Sequence, residues 1–188
     1  MKTIPILMMI LLSTTIISCK QQPKQSVDAK EQEIPSKIDF NMDATPVCFS
    51  AKTIDGKVFN SEEHKDEYWI VFIYDKHHFA KNEEFAFDIL SDFNTVFETF
   101  KDKFRFVGII EGFVETDNEL DSLINSRELL PFPQIDNTKS YDKQEKINHN
   151  VFCTPAKIVI APNGKVIYNG CGGTSTSDIT DILENIEN

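Results

Sequence analysis

Residues 153–173 read CTPAKIVIAPNGKVIYNGCGG. Ala156 to Ala161 (AKIVIA) is apolar apart from one lysine and rich in β-branched side chains, the composition of a buried strand. Pro162-Asn163-Gly164 supplies turn residues, because proline presets φ and Asn and Gly tolerate positive φ. Lys165 to Asn169 (KVIYN) then returns, so the stretch is predicted to be a β-hairpin. Thr154-Pro155 stands directly before it and Gly170 to Gly173 (GCGG) turns away after it. Further on, Ile179, Ile182, Leu183 and Ile186 fall on one face at helical spacing and predict a closing helix.

Toward the N-terminus, two continuous apolar runs, Tyr68 to Tyr74 (YWIVFIY) and Phe104 to Ile110 (FRFVGII), have the pattern of strands covered on both faces. Between them Phe85, Ile89, Phe93, Val96, Phe97 and Phe100 recur at three- and four-residue steps, which predicts a long helix with one apolar face. Thr116-Asp117-Asn118-Glu119 has the capping-box pattern and predicts a helix through about Asn125. Pro131 and Pro133 interrupt the chain, and Ser140 to Ile147 is predicted as a weaker helix. Val47 to Ile54, the turn Asp55-Gly56 and Lys57 to Asn60 predict an N-terminal hairpin. Buried strands alternating with helices imply an α/β fold: a central mixed sheet with an N-terminal β-hairpin, helices on both faces and an antiparallel edge.

The chain has 188 residues, 40% of them hydrophobic and 15 of them Phe, which suits one folded domain with a real core. Its formal charge of −11 repels phosphate backbones, so no nucleic-acid partner is expected. Residues 1–18 read as a signal peptide: Lys2 gives a positive start, and the fourteen apolar residues Ile4 to Ile17 are too few to span a bilayer. The junction Ile16-Ile17-Ser18-Cys19 resembles the bacterial lipobox, which implies cleavage before Cys19 and lipidation of its thiol. Residues 19–37 then read as a flexible tether whose last eighteen residues reach on the order of 24 Å. The folded domain is expected over 38–188. The resemblance implies a protein of the cell envelope, held to a membrane by this anchor and facing the periplasm or the exterior.

Several pieces in order match one family: Thr45-Pro46-Val47-Cys48-Phe49, Thr53-Ile54-Asp55-Gly56-Lys57-Val58, the strand Trp69 to Tyr74, Phe104 to Ile110, Pro131-Phe132-Pro133, Thr154-Pro155, Asn163 to Tyr168 and Gly172-Gly173. Residues 45–188 resemble the TlpA-like, thioredoxin-fold redoxins, membrane-anchored thiol–disulfide proteins related to the AhpC/TSA peroxiredoxins. The resemblance implies a cis peptide at Thr154-Pro155 and a redox Cys-X-X-Cys at the start of the helix after Tyr74. It implies no cofactor.

The chain departs from the family at that motif. His78 stands where the nucleophilic cysteine is expected and Lys81 where the resolving one is expected. Neither side chain forms a disulfide, so dithiol exchange through these positions is excluded. Cysteines occur at 19, 48, 153 and 171 only. Counting back from the hairpin turn puts Cys171 opposite Pro155 and Cys153 two residues off register on the same pleat face, which permits a Cys153–Cys171 disulfide. Cys48 reads as a small buried or half-buried residue. His64, His77, His78 and His149 are the only histidines, and no ligand-type spacing joins them. Three functions remain open: a non-catalytic module that holds an extended polypeptide beside Thr154-Pro155, an oxidoreductase that uses Cys153 and Cys171, and a metal-handling protein that uses His78 with Cys153 or His149.

Overall fold

The structure is a computed structural model and describes residues 36–79, 88–125, 129–173 and 175–187. The signal peptide, Cys19, most of the tether, Lys81 and the expected helix start at Phe85 lie outside the described residues. The strands are β1 (Ser50–Lys52), β2 (Val58–Asn60), β3 (Trp69–Asp75), β4 (Arg105–Glu111), β5 (Gln134–Asp136), β6 (Ala156–Ile160) and β7 (Val166–Cys171). The α-helices are α1 (Ile89–Phe100), α2 (Asp117–Asn125) and α3 (Ser177–Glu187), and 3-10 turns cover Ser61–His64 and Lys76–Phe79.

The apolar run YWIVFIY supplies the central strand. β3 pairs parallel with β4, from Trp69 opposite Arg105 to Asp75 opposite Glu111, and antiparallel with β6, with Ile73 opposite Ala156. The sheet order is β5-β4-β3-β6-β7, with β5 parallel to β4 and β7 antiparallel to β6. β1 and β2 form a separate antiparallel pair, tied to the β5 edge by the Thr53–Ile135 bridge and by the Ile54 N–H donating to the Gln134 carbonyl at 2.9 Å.

Alternation along β3 divides the core into two layers. Ile70, Phe72 and Tyr74 face α1 and α3, where Phe93, Val96, Ile179 and Leu183 are buried with them. Phe72 stacks on Phe93 with ring centroids 4.0 Å apart, and full burial of each ring stabilises the fold by about 1.5–3 kcal/mol. On the other face, Trp69, Val71 and Ile73 pack with Ile38, Phe40, Phe59 and Ile147. Among the described residues both layers begin at Ile38, and the compact unit that holds them begins at Ile34.

Three expectations are refined. α2 forms where the capping box places it, but Glu119 Oε2 accepts from the Glu115 N–H at 2.8 Å, one residue earlier than the box predicts. Its other oxygen pairs with the buried Lys76. The helix predicted over 140–147 is absent, and the segment is irregular. The reason is Asn137: its buried side chain accepts from the backbone N–H groups of Lys146 and Ile147, both at 2.8 Å, and donates to the Ile147 carbonyl at 3.0 Å. A side chain that satisfies these backbone groups competes with the helical ladder. The hairpin forms as predicted, but a bulge between Val159 and Ile160 brings Cys171 opposite Ala156 rather than Pro155.

Candidate functional site

The carboxyl ends of β3 and β4 and the entry to β6 meet at one pole of the sheet, where the last residues of the two parallel strands, Asp75 and Glu111, are register partners. The chain leaves β3 into the 3-10 turn Lys76–Phe79, which is anchored by the fully buried Phe79. The His77 N–H donates to Asp75 Oδ1 at 2.9 Å, and the exposed His77 ring closes on the same carboxylate. His78 is half-buried, with Nδ1 2.9 Å from the Asp75 carbonyl. The turn therefore separates the two histidines by burial.

Across the pole, His149 Nε2 lies 2.7 Å from Glu111 Oε1, and Asn137 Nδ2 donates to the same oxygen at 2.7 Å. His149 Nδ1 accepts from the Val151 N–H at 3.2 Å, which places the ring hydrogen on Nε2, facing Glu111. These contacts clamp the start of the loop that leads into β6. Phe152 follows at 97% exposure, then Cys153, then a cis Thr154-Pro155 peptide with Pro155 buried.

Cys153 and Cys171 form a disulfide with Cα atoms 5.9 Å apart. It braces the cis-proline loop against the end of β7, and the Gly172 N–H adds a 2.7 Å bond to the Pro155 carbonyl. Cys171 is exposed and Cys153 half-buried. With its sulfur in the disulfide, Cys153 offers no thiolate to a metal, which removes the His78–Cys153 pairing as a ligand set. His149 already uses both ring nitrogens. Among the described residues, no three His, Cys, Asp or Glu side chains are arranged to hold a metal ion.

The remaining thiol is elsewhere. Cys48 is exposed beside the N-terminal hairpin, a correction to its expected burial, and donates to Glu62 Oε2 at 2.8 Å. That hydrogen bond, slight desolvation and repulsion from the Glu62 charge push its pKa up, which disfavours the reactive thiolate. The hairpin and residues 129–134 also frame a cleft of about 420 Å³, which contains none of the pole residues.

Sequence reasoning located Thr154, Pro155, Cys153 and Cys171 at one place. It missed Glu111, Asn137 and Phe152, and it named His149 only as a metal candidate and not as the partner of Glu111, because contacts between residues 38 positions apart leave no periodic signal and a phenylalanine in a sequence reads as core.

No family model matches the chain, and no curated protein matches it. Solved structures do. A thiol:disulfide interchange protein from Chlorobium tepidum is 20% identical over 77% of this chain and 94% of its own, with a TM-score of 0.52. A Bacteroides fragilis thiol-disulfide oxidoreductase is 14% identical over 76% of this chain and 99% of its own, at 0.54. The exposed lipoprotein thioredoxin of Streptococcus pneumoniae is 12% identical over 74% of this chain and 99% of its own, also at 0.54. At these identities the likeness establishes architecture, and with the central sheet, the terminal hairpin and the cis Thr154-Pro155 loop in place, this chain has the thioredoxin-like fold.

Proposed function

We propose that the protein is a membrane-anchored, extracytoplasmic thioredoxin-fold module that binds an extended polypeptide at the cis-proline pole and does not exchange disulfides through a Cys-X-X-Cys motif. The observation that carries this reading is Phe152, which is 97% exposed one residue before a disulfide-braced loop. A large apolar side chain held in water next to that brace offers an anchor to a partner, since aromatic side chains buried at an interface carry much of its binding energy. The absence of cysteine at positions 78 and 81 supports the non-catalytic part. The Ile17-Ser18-Cys19 junction supports the anchor.

Reduced, carboxamidomethylated ribonuclease, an unfolded chain with blocked thiols, is expected to bind the domain (residues 36–188), and Phe152→Ala is expected to weaken binding at least tenfold. Equal retention by both proteins contradicts the placement of the site. In cells, Cys19→Ala is expected to leave the precursor unprocessed; a variant that still matures and stays on the membrane refutes the anchor.

A second reading rests on the exposed Cys171. An external thiolate has access to this sulfur, so the chain would act as an oxidoreductase through Cys153 and Cys171. Turnover by the reduced domain separates the two readings.

A further inference from the structure

Phe113, Tyr141 and Phe152 are the three aromatic residues among the exposed large hydrophobics of the described chain, at 40%, 84% and 97% exposure. Each is linked along the chain to the Glu111–His149 contact at the pole. Phe113 lies two residues beyond Glu111, and its bridge to Lys139 brings Tyr141 against it edge to face, with ring centroids 5.0 Å apart. Phe152 lies three residues beyond His149, which is bonded to the same Glu111. The aromatic rings therefore stand on both strands of chain that the Glu111–His149 contact joins. Tyr141, mostly uncovered by its partner, keeps ring surface open to a ligand.

The charges around these rings are unequal. Lysines on this side already have acidic partners: Lys76 with Glu119, Lys139 with Glu145 at 3.3 Å, and Lys143 and Lys146 with Asp136 at 2.7 and 3.7 Å. Asp75 already meets His77, but no described lysine, arginine or histidine pairs with Glu115 or Asp142. The whole chain carries −11. Open aromatic rings beside unmatched carboxylates suit one chemistry: cations on long aliphatic stems, which lie along a ring face and reach a carboxylate beyond it.

Resting on the polypeptide-binding reading above, we infer that the partner is a basic extended polypeptide, whose Lys or Arg side chains lie across Tyr141 and Phe113 while its backbone passes Phe152 and the cis-proline loop. Electrostatic attraction speeds encounter and favours cationic segments, and the aromatic contacts set where they stop.

The test uses (Lys-Pro)₅, which is held extended by its prolines, against (Glu-Pro)₅ and a chitin hexamer, each titrated calorimetrically into residues 36–188. (Lys-Pro)₅ is expected to bind, the other two not to. A double variant, Phe152→Ala with Tyr141→Ala, is expected to bind (Lys-Pro)₅ at least tenfold more weakly. Both side chains are exposed, so the variant is expected to melt at the wild-type temperature, which excludes misfolding as the cause. Unchanged affinity in the double variant overturns the inference, as does binding of the hexamer in place of the peptide. Equal affinity for (Glu-Pro)₅ and (Lys-Pro)₅, both lost in Phe152→Ala, overturns the basic selectivity and leaves the polypeptide-binding function standing. If neither peptide nor the unfolded ribonuclease binds, both readings fall.

Discussion

Asn137→Ala is expected to destabilise the domain by about 3 kcal/mol and to weaken polypeptide binding with it. The side chain is 2% exposed and makes four bonds: it accepts from Lys146 and Ile147 N–H and donates to Glu111 and the Ile147 carbonyl. Alanine leaves the buried N–H and carbonyl of Ile147 without these partners, at about 1–3 kcal/mol for each group that water does not reach, while the Lys146 N–H belongs to an exposed residue. It also removes one of the two groups bound to Glu111 Oε1, so the clamp on the Phe152 loop loosens. Urea unfolding measures the stability change and retention of the unfolded ribonuclease measures the second effect. A loss below 1 kcal/mol contradicts the role given to Asn137.

The second large effect sits on the other side of the sheet. Lys157 is 2% exposed near the start of β6, and its Nζ is held by the Ser175 carbonyl at 2.7 Å and by both Asp178 oxygens at 2.8 and 2.9 Å. Asp178→Ala strands a buried ammonium, which ordinarily costs 3–5 kcal/mol, and about 3 kcal/mol is expected because the partly exposed Asp178 site admits water. Lys157→Met is expected to cost clearly less, since it removes the buried charge and leaves Asp178 solvated. The order of the two variants in thermal or urea unfolding is the check, and the reverse order contradicts the account.

The same pair sets a pH dependence. Burial pushes the Asp178 carboxyl up, but hydrogen bonds from Lys157, Tyr168 and the Ile179 N–H, with the Lys157 charge, outweigh it and hold the pKa below the usual range. A folded-state pKa below the unfolded one contributes stability that is complete above about pH 4 and is lost as pH falls through the folded value. Asp136 behaves alike: burial raises it, while Lys143 and Thr138 bring it below the ordinary value. Stability is therefore expected to decline below about pH 4, with a shallower decline in Asp178→Ala.

The sheet was legible because its strands are written in local composition. YWIVFIY and AKIVIA are too apolar and too short for a surface helix, and the turn Pro162-Asn163-Gly164 fixes the hairpin between two of its strands. The cis Thr154-Pro155 peptide was legible through the family resemblance, whereas strand register permitted the disulfide without fixing it. The segment 140–147 was not legible. Its residues favour a helix locally, and the side chain that overrides them lies outside it, at Asn137. The single-residue bulge in β7 moved Cys171 by one position for a comparable reason, since bulges carry little sequence signature. The exposed aromatics were hidden by type: Phe72 is marked as core by its apolar run, but outside such runs a phenylalanine such as Phe152 carries no mark that it stands in water.

The central claim is that this thioredoxin-like fold holds a polypeptide without exchanging its disulfides. Reduction of a protein disulfide by the pre-reduced domain (residues 36–188), compared with the same domain carrying Cys48→Ser, Cys153→Ser and Cys171→Ser, tests it most directly. Exchange needs a reactive thiolate and a second thiol to resolve the mixed disulfide. The hydrogen bond to Glu62 pushes the Cys48 thiol up, away from the thiolate, and Cys153 and Cys171 lie on a loop and a strand end, without a helix N-terminus to favour a thiolate. The expected result is a rate equal to that of the triple variant. Turnover well above that control contradicts the claim and makes Cys153 and Cys171 the active pair.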